Sequence, residues 1–173
     1  PRVHHYNVIG DEESFTTDYL TSRTIEFIGD EDERPFCMLL SIPDPHGPYT
    51  VREPYASMFK PEDMELPSTF TCENDPEWVK EARENTRYSI ENADREDVFR
   101  RNMAGYLGEV KCIDDNVGRL FSTLEQKGIL DNTLIVYTAD HGDYMGEHGL
   151  SGKNNMYETA YRIPFLMRLP GTV

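Results

Sequence analysis

Asp140, His141, His148 and Lys153 fall within one short stretch, Thr133-Leu-Ile-Val-Tyr-Thr-Ala-Asp140-His141-Gly142-Asp-Tyr-Met-Gly-Glu-His148-Gly-Leu-Ser-Gly-Lys153. A carboxylate oxygen and an imidazole nitrogen on adjacent residues reach one cation only if the backbone turns between them, and Gly142 permits a turn. An Asp that caps the turn and a His packed under a sheet is the structural alternative. The apolar run before the pair and the glycine-rich loop after it favour a metal site, because α/β proteins place ligand chemistry at strand C-terminal ends. Lys153 follows Gly149-Leu-Ser-Gly152. Its ammonium is a compact charge suited to sulfate or phosphate, although a solvated loop lysine is the commoner case. His148 either lines a substrate pocket or holds its loop. His46 sits in Ile42-Pro-Asp-Pro-His-Gly-Pro-Tyr49, where prolines fix the backbone around it. Such a His can donate a proton or bind an anionic oxygen; a surface turn histidine is the alternative. His4 and His5 read as tail residues or unmatched rim residues.

These side chains need elements to carry them. Thr16-Thr17-Asp18 reads as a helix start, followed by Leu20, Thr24, Phe27 and Ile28 at helical spacing to an end near Gly29. Phe36–Ile42, bounded by prolines, reads as a buried strand that delivers His46. From Pro43 to about Arg95 the periodicity dissolves among seven prolines, with one short helix expected near Glu77–Glu84. A stretch of that length without regular structure is often functional. From Asp97 to Lys127, Met103, Tyr106, Val110, Ile113, Val117, Leu120 and Leu124 form one helical stripe, with Gly128 as its stop. Asp131-Asn132 marks a turn. Leu134–Thr138 reads as a second buried strand ending at Asp140, and Arg162–Leu169 as a third. The order implies an α/β fold with a largely parallel sheet and helices on its faces. In such a sheet His46 and the Asp140 loop would leave converging strand ends.

The chain has 173 residues, 17 basic against 32 acidic, for a formal net charge of −15. That balance argues against a nucleic-acid partner, which needs a basic stripe, and against anionic lipid. It leaves room for an anionic substrate, because a metal ion inverts the field within one pocket. No run reaches the roughly eighteen apolar residues of a membrane span. The three cysteines, Cys37, Cys72 and Cys112, form no paired motif; Cys37 and Cys112 are expected to be buried thiols.

Taken in order, these segments resemble the sulfatase family of the alkaline-phosphatase superfamily. Leu20-Thr-Ser-Arg-Thr-Ile-Glu-Phe-Ile28 is similar to a helix of that family, and Phe36-Cys-Met-Leu-Leu-Ser-Ile with Pro45-His46-Gly-Pro-Tyr49 to its strand and Pro-His-x-Pro-Tyr loop. Tyr106 to Gly142 resembles its long helix and the strand ending in Asp-His/Asn-Gly. Lys153, Met156-Tyr157-Glu158 and Arg162-Ile-Pro-Phe resemble the segment that follows. The resemblance implies an alkaline-phosphatase-like fold and metal-dependent hydrolysis of a small-molecule or saccharide sulfate ester. It implies Asp140 and His141 as ligands of Ca²⁺ or another divalent cation. It also implies His46 and Lys153 as catalytic groups on the sulfate oxygens, His148 as a substrate contact, and a periplasmic, secreted or lysosomal location.

The family's nucleophile is a cysteine matured to formylglycine within Cys-x-Ser/Pro-x-Arg. Cys37 precedes Met-Leu-Leu, Cys72 precedes Glu-Asn-Asp and Cys112 precedes Ile-Asp-Asp, so none has that context. The resemblance also implies an N-terminal Asp-Asp metal pair, expected upstream because no matching strand is found before residue 15. The expectation is a partial catalytic domain over residues 1–173, inactive alone, with the nucleophile upstream and an exposed sheet edge that favours self-association. A metal-dependent phosphatase or phosphodiesterase of the same superfamily, or a non-catalytic fragment, is the alternative.

Overall fold

The computed structural model describes residues 10–30, 32, 34–84, 92–153 and 155–173. His4 and His5 lie outside them. Four helices and four short strands are present among these residues: α1 (Thr16–Gly29), α2 (Glu77–Glu84), α3 (Asn92–Gln126), β1 (Ile135–Thr138), β2 (Tyr144–Met145), β3 (Ser151–Gly152), α4 (Glu158–Tyr161) and β4 (Phe165–Arg168). They divide into two compact units. The first draws on Pro1–Phe59, Gly105–Ile135 and Arg168–Val173, the second on Lys60–Ala104 and Val136–Met167.

In the first unit, Phe15, Val51, Tyr55 and Cys112 form an apolar cluster. The buried face of α1 is largely polar, with Thr17, Asp18, Thr21 and Thr24 beside Ile28. Its centre is an ion pair. Asp18 and Arg52 are 2% and 5% exposed. Arg52 Nε and Nη2 each donate to an Asp18 carboxylate oxygen at 2.8 Å, the two-pronged geometry that best suits guanidinium and carboxylate. Asn116 Nδ2 donates to Asp18 Oδ1 at 3.1 Å and to the Cys112 carbonyl at 2.9 Å, which ties α1 to α3. Burial pushes the Cys112 thiol up to about 12, so it stays protonated and inert. α3 ends as its periodicity predicts: Ile129 N donates to Leu124 O at 3.0 Å and Gly128 N to Glu125 O at 2.9 Å, the paired bonds of a Schellman stop.

Burial alone would raise the Asp18 pKa, yet the hydrogen bonds from Arg52 and Asn116 outweigh it and the carboxyl lies below 3.8. A depressed carboxyl stabilises the folded state above its unfolded pKa of about 3.9, and that stability is lost as pH falls through the folded value. Asp44, raised by burial, works in the opposite direction. Thermal melts at stepped acid pH are therefore expected to show a Tm decline below about pH 4 that is shallower in Asp18→Asn. An identical decline in both proteins would remove Asp18 as its cause.

In the second unit, Val79 of α2, Tyr144 of β2, Leu150 and Ala160 of α4 share a core, with Ala82 and Tyr157 against it. Burying an aliphatic side chain such as Val79 or Leu150 contributes about 1.5–3 kcal/mol. β2 and β3 form an antiparallel hairpin with Tyr144 opposite Gly152 and Met145 opposite Ser151. β1 pairs with β4.

α1, α2 and α3 agree with their sequence signals and the sheet does not. A largely parallel sheet is not seen among the described residues, which form two two-stranded sheets. Phe36–Ile42 carries no strand pairing. Phe36, Met38 and Leu39 are exposed, as is Cys37, which was expected to be buried. β1 and β4 are exposed too, through Val136, Tyr137, Phe165, Leu166 and Met167. A fully apolar strand is buried only when neighbours cover both faces, and among the described residues none do.

Candidate active site

The second unit carries Asp140, His141, His148 and Lys153. β1 ends at Thr138, and the Asp140–Gly142 turn follows directly. Gly142 N–H donates to the Ala160 carbonyl at 2.8 Å, so the turn is sewn to α4. Gly142 does not occupy the left-handed region; it is required by space. A Cβ there would lie 1.9 Å from the Thr159 carbonyl oxygen. The hairpin then returns the chain. Lys153 follows Gly152, the last paired residue of the hairpin. Among the described residues, no carboxylate pairs with the Lys153 ammonium.

His141 Nδ1 lies 2.7 Å from the Gly142 carbonyl. A carbonyl only accepts, so Nδ1 carries the proton and Nε2 keeps its lone pair in the neutral ring. That Nε2 is 3.4 Å from Asp140 Oδ2, and Asp140 is 87% exposed. The other carboxylate oxygen accepts the His141 backbone N–H at 3.0 Å. One oxygen and one nitrogen thus lie 3.4 Å apart on an open segment, a separation compatible with two ligands of one divalent cation. They do not complete a coordination sphere. Among the described residues no group of three or more His, Cys, Asp or Glu side chains is placed to hold a metal.

His148 is fixed differently. Its Nδ1 is 2.6 Å from Asp75 Oδ1, and Asp75 is 5% exposed. Arg83 pairs with the other Asp75 oxygen and donates through Nε to the His148 carbonyl at 2.8 Å. Arg95 donates to the Gly149 carbonyl; burial and the neighbouring Arg83 hold its pKa below the ordinary value. The Tyr157 ring stacks on the imidazole at 4.2 Å and 5°. Asp75, Arg83 and Tyr157 were not among the sequence candidates. No local pattern signals a pair 73 residues apart.

His46 belongs to the first unit. It is exposed, and its Nδ1 is 2.9 Å from the Gly47 carbonyl, the same His-Gly arrangement as His141-Gly142. Its loop is anchored on both sides. Thr17 donates to Asp44, and Thr50 N–H donates to Glu109 at 2.7 Å. Gly105 of α3 lets the Tyr49 carbonyl approach where a Cβ would stand 2.2 Å away.

The family model for sulfatases matches residues 5–173. The chain belongs to the sulfatase family. It is 32% identical over 143 residues to a choline-sulfatase of Rhizobium meliloti (strain 1021), covering 82% of this chain and 28% of that protein. Two solved structures share the fold. One is the phosphonate monoester hydrolase of Agrobacterium radiobacter, at TM-score 0.78 and 27% identity, covering 94% of this chain and 34% of that one. The other was solved with its substrate D-glucosamine-2-N,6-O-disulfate, at TM-score 0.76 and 25% identity, covering 90% and 43%. This sulfatase-family chain spans about a third of the length of the curated relatives it matches.

Proposed function

We propose that residues 1–173 form part of the catalytic domain of a sulfatase that hydrolyses a small-molecule or saccharide sulfate ester. The observation that carries this reading is the open Asp140–His141 pair at the end of β1, followed in the chain by the β2–β3 hairpin that leads to Lys153. Lys153 neutralises sulfate oxygens. His46, with Nε2 as its working nitrogen, binds a sulfate oxygen and donates a proton to the leaving alcohol. His148 contacts the substrate. Bound at Asp140 and His141, Ca²⁺ or another divalent cation would orient the sulfuryl group and offset its charge. Formylglycine, the family nucleophile, is not supplied by Cys37, Cys72 or Cys112, whose sequence contexts do not match.

Two ligands give little metal affinity, since Ca²⁺ takes six to eight oxygens. Calorimetry on the 173-residue chain is expected to show only weak Ca²⁺ binding. Submicromolar affinity would mean that a full ligand set lies within these residues.

The resemblance to phosphonate monoester hydrolase supports a second reading, a phosphoester or phosphonate hydrolase built on the same ligands. Relatives named as extracellular sulfatases favour a secreted, periplasmic or lysosomal location. No helix of the described residues is long and apolar enough to cross a membrane. The exposed apolar β1–β4 sheet favours self-association of the isolated chain.

The experiment is an aryl-sulfate assay with Ca²⁺ and with chelator, on the full-length protein and on the 173-residue chain. Chelator-sensitive turnover by the full-length protein only is expected. Turnover by the short chain would place the nucleophile within it.

A further inference from the structure

His46 is exposed, yet the backbone on both sides of it is tied to buried residues of two helices. On its N-terminal side, the Thr17 hydroxyl of α1 donates to Asp44, and Thr17 is 0% exposed. On its C-terminal side, Glu109 of α3, 1% exposed, accepts the Thr50 N–H at 2.7 Å. Between these anchors the loop closes on itself. His46 N–H donates to the Pro43 carbonyl at 3.2 Å, and Thr50 N–H also reaches the Pro48 carbonyl at 2.8 Å. A buried hydroxyl or carboxylate costs free energy unless it is hydrogen-bonded. Apolar side chains would pack at either position without that cost. What Thr17 and Glu109 add is direction, because each bonds a fixed point of the His46 loop.

The backbone of α3 comes as close as its side chains do. A Cβ on Gly105 would stand 2.2 Å from the Tyr49 carbonyl oxygen, and one on Gly108 2.7 Å from the Tyr55 carbonyl oxygen. Gly105, Gly108 and Glu109 share one helix face, at steps of three and four residues. A close carbon–oxygen contact is ~3.3 Å, so a methyl group at Gly105 displaces the loop by about 1 Å. Gly118, further along α3, has nothing within 4 Å of its place. The Tyr49 ring also meets Tyr106 edge-on, at 6.1 Å between centroids. An exposed imidazole on a backbone seated this closely is presented at a set position, which is what transfer of a proton to a bound group requires.

We propose that Thr17, Gly105 and Glu109 are positioning residues that act through His46, seating its loop on α1 and α3 so that the imidazole meets the substrate without rearrangement. This rests on the sulfatase reading, in which His46 binds a sulfate oxygen and protonates the leaving alcohol. It names the residues that set where that nitrogen stands.

The test is a double-mutant cycle on the full-length protein with 4-nitrophenyl sulfate and Ca²⁺. Thr17→Val and Gly105→Ala are each made in the parent and in His46→Ala. Thr17→Val is expected to lower kcat about tenfold, one hydrogen bond's worth. Gly105→Ala should lower it about 10²-fold, the usual effect of a displacement of about 1 Å. Thr17→Ser, which restores the hydroxyl, should recover most of the loss. In His46→Ala neither substitution should cost anything further, because the group they act through is gone. Equal losses in the two backgrounds overturn the proposal, as does a Thr17→Ser rate no better than that of Thr17→Val. If Gly105→Ala does not fold, the Thr17 cycle decides alone. Gly118→Ala should leave the rate unchanged; a loss matching that of Gly105→Ala would trace the effect to the helix and not to the loop. Absence of sulfate-ester turnover by the unsubstituted protein would count against the sulfatase reading itself. Amide exchange across residues 43–50 would then decide the seating of the loop. Faster exchange in Thr17→Val, reversed in Thr17→Ser, supports it, and exchange equal to the parent's ends it.

Discussion

In the full-length protein, Lys153→Ala is expected to lower sulfate-ester turnover about 10²-fold or more, and His46→Ala by a similar factor. The reason is the charge that shifts as the S–O bond breaks. Lys153 follows the hairpin and has no carboxylate partner among the described residues, so its charge remains available to an anion. The Gly47 carbonyl sets the tautomer of His46, and Nε2, with no partner among the described residues, would be open to a substrate oxygen under the proposed reading. Loss of either removes stabilisation that a water molecule does not replace. The check is initial rates beside thermal melts. Turnover within threefold of the parent, at unchanged Tm, would remove that residue from the machinery.

Arg52→Ala is the largest stability effect expected, about 3–5 kcal/mol, because it strands the Asp18 carboxylate in a site 2% exposed. Against a typical total of roughly 5–15 kcal/mol, that loss brings the first unit close to unfolding. Asn116 would still donate to Asp18, so part of the network survives. Asp18→Asn with Arg52→Met, which removes both charges and keeps volume, should cost much less than Arg52→Ala. Urea denaturation gives both values. Equal losses would show that volume, not the stranded charge, sets the effect.

α1, α2 and α3 were legible because each carries its own signal, whereas the four-residue α4 was not read from the sequence. The stripe from Met103 to Leu124 needs only helical periodicity, and α1 and α2 have the bounds their sequence suggested. The strands were half legible. Ile135–Thr138 and Phe165–Arg168 form, but their burial depends on neighbours that a local pattern does not report. Phe36–Ile42 has the composition of a strand and lacks a pairing partner among the described residues. In the candidate site, residue type singled out Asp140, His141 and Lys153, while the contacts around them were hidden. Gly142 read as a flexible turn and is instead a close approach to Thr159. The Asp75–His148 and Asp18–Arg52 pairs join residues far apart in sequence, and each member alone looks like an ordinary polar residue.

The most direct measurement is the ratio of kcat/KM for 4-nitrophenyl sulfate to that for 4-nitrophenyl phosphate, taken on the matured full-length protein with Ca²⁺. A ratio well above one, abolished in Asp140→Ala, is expected if the turn after β1 and the Lys153 hairpin serve sulfate-ester hydrolysis. Turnover of the phosphate ester with none of the sulfate ester would contradict that assignment and favour the phosphoester reading.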